Sequence, residues 1–470
     1  MFNYPEGWNI AYNEPTPAMT IPFCFLGGIL GYNISLIVSF VLSGVLTYAV
    51  TKHLTGNPWS GWLAGIAFAF TPYRMAHLMG HLNLMGTQWF PIYFWALCQI
   101  NQRKQWSWKP VLVGALGIGL IALTSAYYFY MTVLISVVFV TTLLLLDYTA
   151  LRTKLFMLGM LVIFSLPLVG MAMWPFLGVS GNYVPRSLNE VRFWSASPLD
   201  FIMPPTKHFL WGGGTAKLWV ESTLYLSWVM LVFAVAAVKD SQRRPLWIAL
   251  MVSSCFAIVL ALGVELRWRH DNPTEIWLPG RWLFDHLPLY DRMRVWMRYG
   301  VFAILFVSLL GGIGFAFWQT WVKHKTTWGM AALLLLGVDI YTGIQPLSEV
   351  KPRAVDVWLA QQYTSGAVIE LPFDQALVGQ NAYYSLIHGK PTIGSFSSLP
   401  TPQLRRIIPV LAQFPSDDSF RVMSELGVKW VVISASRYAD FENVKIILQE
   451  HGYSISYVPE NPNGLWIFER

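Results

Sequence analysis

The strongest constraint on this chain is a series of apolar runs, each near the length of a bilayer crossing, joined by short basic connections. A spanning helix needs about 20 mostly apolar residues, because each residue rises about 1.5 Å through a hydrocarbon core about 30 Å thick. About ten stretches qualify: 31–51, 56–72, 86–101, 110–124, 126–146, 156–175, 222–238, 245–264, 300–321 and 327–345. Only 12% of the 470 residues are charged, against about 25% in soluble domains. Aromatics reach 16%, which suits side chains placed at lipid–water boundaries. The expected fold is an α-helical polytopic membrane bundle. The stretch 16–30 is apolar but short and broken by Pro and Gly, and reads as an interfacial or re-entrant segment.

Lys and Arg in short loops set orientation. With Met1 outside, the inner connections hold Lys52; Arg103, Lys104 and Lys109; Arg152 and Lys154; Lys239, Arg243 and Arg244; and Lys323 and Lys325. Both termini then face outward, with outer loops at 1–30, 73–86, 176–221 and 265–299. The expected location is the plasma or inner membrane, in contact with its lipids. A composition shift at about residue 346 separates a membrane domain, 1–345, from an exterior domain, 346–470. Beyond it VDVWLAQQY reads as a helix, GAVIELPF as a strand, and FRVMSELGVKWVVISA as helix–turn–strand with Gly427 in the turn. A helix and two strands complete a small α/β domain.

Several functions are excluded. The net charge of +7 is dispersed between apolar runs, so it sets topology and implies no nucleic acid. Cys24, Cys98 and Cys255 lie far apart, which supports neither a disulfide framework nor a CxxC zinc site. No phosphate loop, dinucleotide fingerprint or GxSxG elbow is present.

Candidate chemistry gathers in the outer loops. Glu6 and Glu14 lie between aromatics in the amino-terminal segment, where carboxylates can act as general base or bind a divalent cation. In TPYRMAHLMGHLNLMG, His77 and His81 are four apart and share a face if the stretch is helical, a weak metal signal. Arg74 is placed to meet a phosphate. The loop 265–299 carries Arg267, Arg269, Arg281, Arg292, Arg294 and Arg298 among Trp and Tyr. Arginines on the outer side suit an anionic lipid-linked headgroup, and ion pairing with Glu265, Asp271, Glu275, Asp285 and Asp291 accounts for them equally well. Asp200, His208 and Glu221 mark a structured, Pro-rich loop. Asp339 sits in the last span, nearer its outer end, and exposure at the interface is its expected state.

The runs FNYPEGWNIAYNEPT, GYNISLIVSFVLSGVLTYAVTKHLTG and AGIAFAFTPYRMAHLMGHLNLMGTQWFPIYF, continued by LTSAYYF, SPLDFIMPP, LYDRMRVWMRYG, AVIELPFD and LGVKWVVI, resemble bacterial members of the GT-C glycosyltransferase superfamily. These are distant relatives of mannosyl- and aminoarabinose-transferases. The resemblance implies a sugar taken from a polyprenyl-phosphate carrier and passed to a glycan, lipid or protein acceptor at the outer leaflet. A carboxylate in the first outer loop would serve as base or metal-linked residue, and nearby arginines would neutralise the departing phosphate. Against that pattern the chain starts within the first outer loop, so the family's first helix and its early Asp are expected to be missing. Glu6 and Glu14 are the acids left for catalysis. Arg74, His77, His81, Arg294 and Arg298 are the expected substrate contacts, with a divalent metal as possible cofactor. The alternative is a degenerate membrane scaffold or transport protein whose exterior domain binds a partner.

Overall fold

The computed structural model describes residues 2–78, 80–178, 185–212, 220–269, 272–345, 347, 349–374, 378–394 and 401–470. The chain divides into two compact units, Glu14–Gln345 and Met1–Asn13 with Pro346–Arg470. The first thirteen residues therefore group with the carboxy-terminal unit rather than with the helices that follow them.

The larger unit begins with α1 (Pro17–Thr20), α2 (Gly28–Thr55), α3 (Pro58–Ala69), α4 (Pro72–His77), α5 (Leu82–Met85), α6 (Trp89–Gln102) and α7 (Trp108–Thr124). It continues through α8 (Ala126–Leu146), α9 (Leu151–Leu177), α10 (Leu188–Phe193), α11 (Trp228–Ala237) and α12 (Arg244–Ala261). A hairpin, β1 (Glu265–Arg269) with β2 (Asn272–Trp277), precedes α13 (Pro279–His286), α14 (Gly300–Trp318) and α15 (Lys325–Asp339). Each of the apolar stretches read from the sequence overlaps one of these helices. Among the described residues five helical segments are long and apolar enough to cross a membrane: Gly28–Thr55, Ala126–Leu146, Leu151–Leu177, Ser241–Ala261 and Trp296–Trp318.

Local signals set the helix ends. Gly56, at φ +70°, closes α2 by donating its N–H to Lys52 O, and Asn57 then caps α3 by accepting from Trp59 and Ser60 N–H. Within the bundle α14 is central: 94% of its apolar window is buried, against 22% for α9. A helix apolar on every side belongs in such an interior position. Small residues let α11 approach it, since a Cβ on Gly314 would lie 1.7 Å from Phe233 O. Asp339, expected at the interface, is instead only 5% exposed. Its carboxylate accepts from Tyr225 OH at 2.5 Å, Ser227 Oγ at 2.5 Å and Val229 N–H at 3.2 Å, which ties the end of α15 to the start of α11.

The smaller unit contains α16 (Ala354–Ala360), β3 (Ala367–Leu371), α17 (Val378–His388), α18 (Pro402–Leu411), α19 (Asp417–Glu425), β4 (Val428–Ser434), α20 (Phe441–Glu450), β5 (Ser454–Tyr457) and β6 (Leu465–Glu469). The sheet order is β3-β4-β6-β5, with β3 and β4 parallel and the other pairs antiparallel. Alternate residues feed two cores. Ile369, Val431, Ile433 and Phe468 join Leu404, Met423 and Leu448 on one face. Val368, Trp430, Val432 and Ile467 meet Val355 and Leu359 on the other. Residues 3 and 4 add to this unit through Asn3 N–H to Gly394 O (2.9 Å) and Tyr4 N–H to Thr392 O (3.1 Å).

Candidate functional site

A polar cluster forms where the turn after α3 meets the amino-terminal ends of α8 and α14. Thr71-Pro72 starts the single short helix α4, and the spacing of four sets His77 one turn beyond Tyr73, whose carbonyl lies 2.7 Å from His77 Nδ1. The other ring nitrogen, Nε2, lies 3.1 Å from Glu221 Oε2. Both nitrogens thus face oxygens. Arg298 grips the same carboxylate, with Nη2 donating to Oε1 at 2.6 Å and Nε 3.2 Å from both oxygens. Glu221, Arg298 and His77 are all buried. Burial pushes the Glu221 carboxyl upward, but the Arg298 and His77 charges outweigh it and hold the group far below the usual carboxylate range.

Tyr127 joins this cluster to the next layer. Its ring lies 5.0 Å beneath the Arg298 guanidinium, and its hydroxyl accepts from Arg294 N–H at 2.9 Å. The Arg294 guanidinium sits 5.3 Å over the Trp194 ring and is half-buried. It has no hydrogen-bond or ion-pair partner among the described residues. Glu14 anchors the start of α8: Oε1 accepts from Tyr127 N–H at 2.9 Å, and Oε2 accepts from Ser125 Oγ at 2.9 Å and from Asn83 Nδ2. His81 is half-buried, its ring 5.3 Å from that of His77. Burial and the neighbouring His77, Arg298 and Arg294 charges pull it down to about 4, with Glu221 opposing them.

The expected site residues separate accordingly. His77, His81, Arg294, Arg298 and Glu14 gather in one region, whereas Glu6 belongs to the other unit. There its Oε2 accepts from Asn3 Nδ2 (3.1 Å) and from Gln403 N–H (3.2 Å) in the first turn of α18. Arg74 departs from its expected role. It is fully buried, with Nη1 donating to Ala69 O (2.9 Å) and Nη2 to Ser39 Oγ (2.9 Å) and Met85 O (3.1 Å), so it clamps α2, α3 and α5 rather than reaching a phosphate. Among the described residues no group of three or more His, Cys, Asp or Glu is arranged to hold a metal ion. Other outer-loop cations serve structure: Arg192 pairs with Glu265 at 2.7 Å, Arg281 with Asp285 at 2.5 Å, and Arg267 donates to Arg192 O. Glu221 is the residue whose weight the sequence understated. A polar loop position is its only local signal, and its partners lie far off in sequence.

A family model described as a domain of unknown function, DUF6311, matches residues 1–341. The chain belongs to the DUF6311 family. No curated protein matches it. Among solved structures, this DUF6311 chain is similar to the arabinofuranosyltransferase AftD from Mycobacteria, with 13% identity and a TM-score of 0.54 over 96% of the chain. It spans 36% of AftD's length. It is also similar to ArnT from Cupriavidus metallidurans bound to undecaprenyl phosphate, with 12% identity and a TM-score of 0.50, covering 97% of this chain and 87% of that one. Both are GT-C glycosyltransferases, and the fold of this chain is distantly GT-C-like.

Proposed function

We propose that this chain is a membrane glycosyltransferase that moves a sugar from a polyprenyl-phosphate carrier to an acceptor at the outer face of the plasma or inner membrane. About ten helices cross the bilayer in this proposal, with the carboxy-terminal α/β unit outside. The observation that carries it is Arg294: a half-buried guanidinium steadied on an aromatic face, its donors taken by none of the described residues, in a cluster where Arg298 is committed to Glu221. A planar fork of this kind matches a phosphate's oxygens. The undecaprenyl phosphate bound by the similar ArnT supports that ligand class.

The remaining residues hold this arm in place. Glu221 fixes Arg298, Arg298 lies on the Tyr127 ring, and the Tyr127 hydroxyl receives the Arg294 main-chain N–H. Glu14 secures the turn from which Tyr127 projects. As the glycosidic bond to phosphate breaks, the bonding electrons pass to the phosphate oxygen, and Arg294 meets the charge that grows there. The test is transfer of radiolabelled sugar from a polyprenyl-phosphate donor in membranes that carry the protein. Transfer by the wild type, reduced about 100-fold in Arg294→Ala, is expected, since removal of one such stabilising donor costs 10²–10³-fold. No transfer by the wild type contradicts the proposal and favours a membrane scaffold.

A further inference from the structure

We infer that His81, rather than a carboxylate, is the general base that takes the acceptor hydroxyl's proton; this inference rests on the glycosyltransferase reading above. Among the described residues of the cluster four groups can accept a proton, and three are engaged. Glu14 holds donors on both oxygens. Glu221 faces Arg298 and His77 with both of its oxygens. His77 has Nδ1 on Tyr73 O and Nε2 on Glu221. His81 makes no side-chain hydrogen bond to a described residue, is half-buried, and sits beside the His77 ring. Its unprotonated ring nitrogen is an acceptor that no described residue engages.

The charges around it explain how such a base is kept ready. Facing His81 are His77 from α4, Glu221 from the turn before α11, and Arg294 and Arg298 from the segment before α14. In the free protein their net field, added to burial, holds the imidazole neutral above about pH 4. A phosphate docked on Arg294 brings negative charge into that field and raises the basicity of His81. The base thus strengthens when the donor arrives. The acceptor O–H proton passes to His81 as the acceptor oxygen bonds to the anomeric carbon. The bond from that carbon to the phosphate oxygen breaks with its electrons on the phosphate. The imidazolium then returns its proton to solvent or to the released phosphate.

The experiment is the pH dependence of radiolabelled arabinofuranose transfer from undecaprenyl-phosphate arabinofuranose in membranes, for the wild type, His81→Gln and His81→Ala. Both variants are expected to lose at least about 100-fold in kcat, within the range of general-base catalysis. Undecaprenyl phosphate binding and thermal unfolding stay at wild-type values, and added imidazole restores part of the His81→Ala rate. In the wild type the acidic limb of kcat, which reports the donor complex, lies at higher pH than that of kcat/KM, which reports the free enzyme. Variants at wild-type rate, or coincident acidic limbs, overturn the inference while leaving the glycosyltransferase reading in place. A wild type that transfers nothing overturns that reading and the inference with it.

Discussion

Arg298 Nη2 donates to Glu221 Oε1 at 2.6 Å across 77 residues of sequence, and this buried pair joins the turn before α11 to the turn before α14. Removing one partner of a buried pair leaves the other charge uncompensated, at about 3–5 kcal/mol. Glu221→Gln is therefore expected to lower stability by that order and to weaken transfer together with it. The double variant Glu221→Gln/Arg298→Met recovers part of the loss, because no charge is stranded. Thermal or denaturant unfolding of the four proteins as a double-mutant cycle checks the coupling.

Glu14 separates a supporting role from a catalytic one. Its carboxylate holds Tyr127 N–H, Ser125 Oγ and Asn83 Nδ2 at the start of α8. Loss of such a cap costs about 1 kcal/mol. Glu14→Ala should be destabilised by about that amount and slowed several-fold, while Glu14→Gln, which keeps one acceptor oxygen, should retain most of the rate. Equal and complete loss of transfer in both variants would make Glu14 the base.

Close packing of α11 on α14 makes opposite predictions for two glycines. A Cβ on Gly314 would sit 1.7 Å from Phe233 O and 2.8 Å from Ala237 N, whereas one on Gly337 would meet nothing within 4 Å. Gly314→Ala is expected to destabilise the bundle by about 1–3 kcal/mol. Gly337→Ala is expected to be neutral or to gain up to about 1 kcal/mol from helix propensity. Thermal unfolding in detergent, followed by size-exclusion chromatography, distinguishes them.

His388 gives the carboxy-terminal unit an acid sensitivity. Burial, reinforced by Arg353 and Lys390 and opposed by Asp356, pulls the imidazole down to about 4, and its Nδ1 accepts Lys390 N–H at 3.0 Å. Between pH 6.5 and about 4 the unfolded chain binds a proton that the folded unit refuses, so stability falls as pH drops through that window. The difference is at most about 3 kcal/mol. Protection factors of the β3 and β4 amides, corrected for the intrinsic exchange rate at each pH, should fall on acidification, and His388→Asn should flatten that dependence.

The sequence made some of this legible for identifiable reasons. Apolar run length located the helices, because lipid demands it of a short stretch of chain. The turn at Gly427 between α19 and β4 was readable because its left-handed φ of +62° suits glycine. His77 and His81 could be paired because their spacing of four is local. Arg74 was misplaced because the sequence reads its surroundings as an outer loop, whereas its partners Ser39 and Met85 belong to other elements. Asp339 looked exposed because nothing near it in sequence reveals Tyr225 and Ser227, its partners from before α11. Glu221 gained its role only through tertiary contact, and periodicity carries no trace of that. Of the loop arginines, the sequence could not separate Arg281, paired with Asp285, from Arg294, which pairs with no described residue.

The most direct measurement is undecaprenyl phosphate binding to the purified protein in nanodiscs, by native mass spectrometry, for the wild type, Arg294→Ala and Arg294→Lys. The account predicts a specific complex in the wild type and at least about tenfold weaker binding in Arg294→Ala, the loss of one charge-assisted contact. Arg294→Lys should fall between them, since an ammonium keeps the charge but not the fork. Equal binding by all three proteins, or none by the wild type, would contradict it.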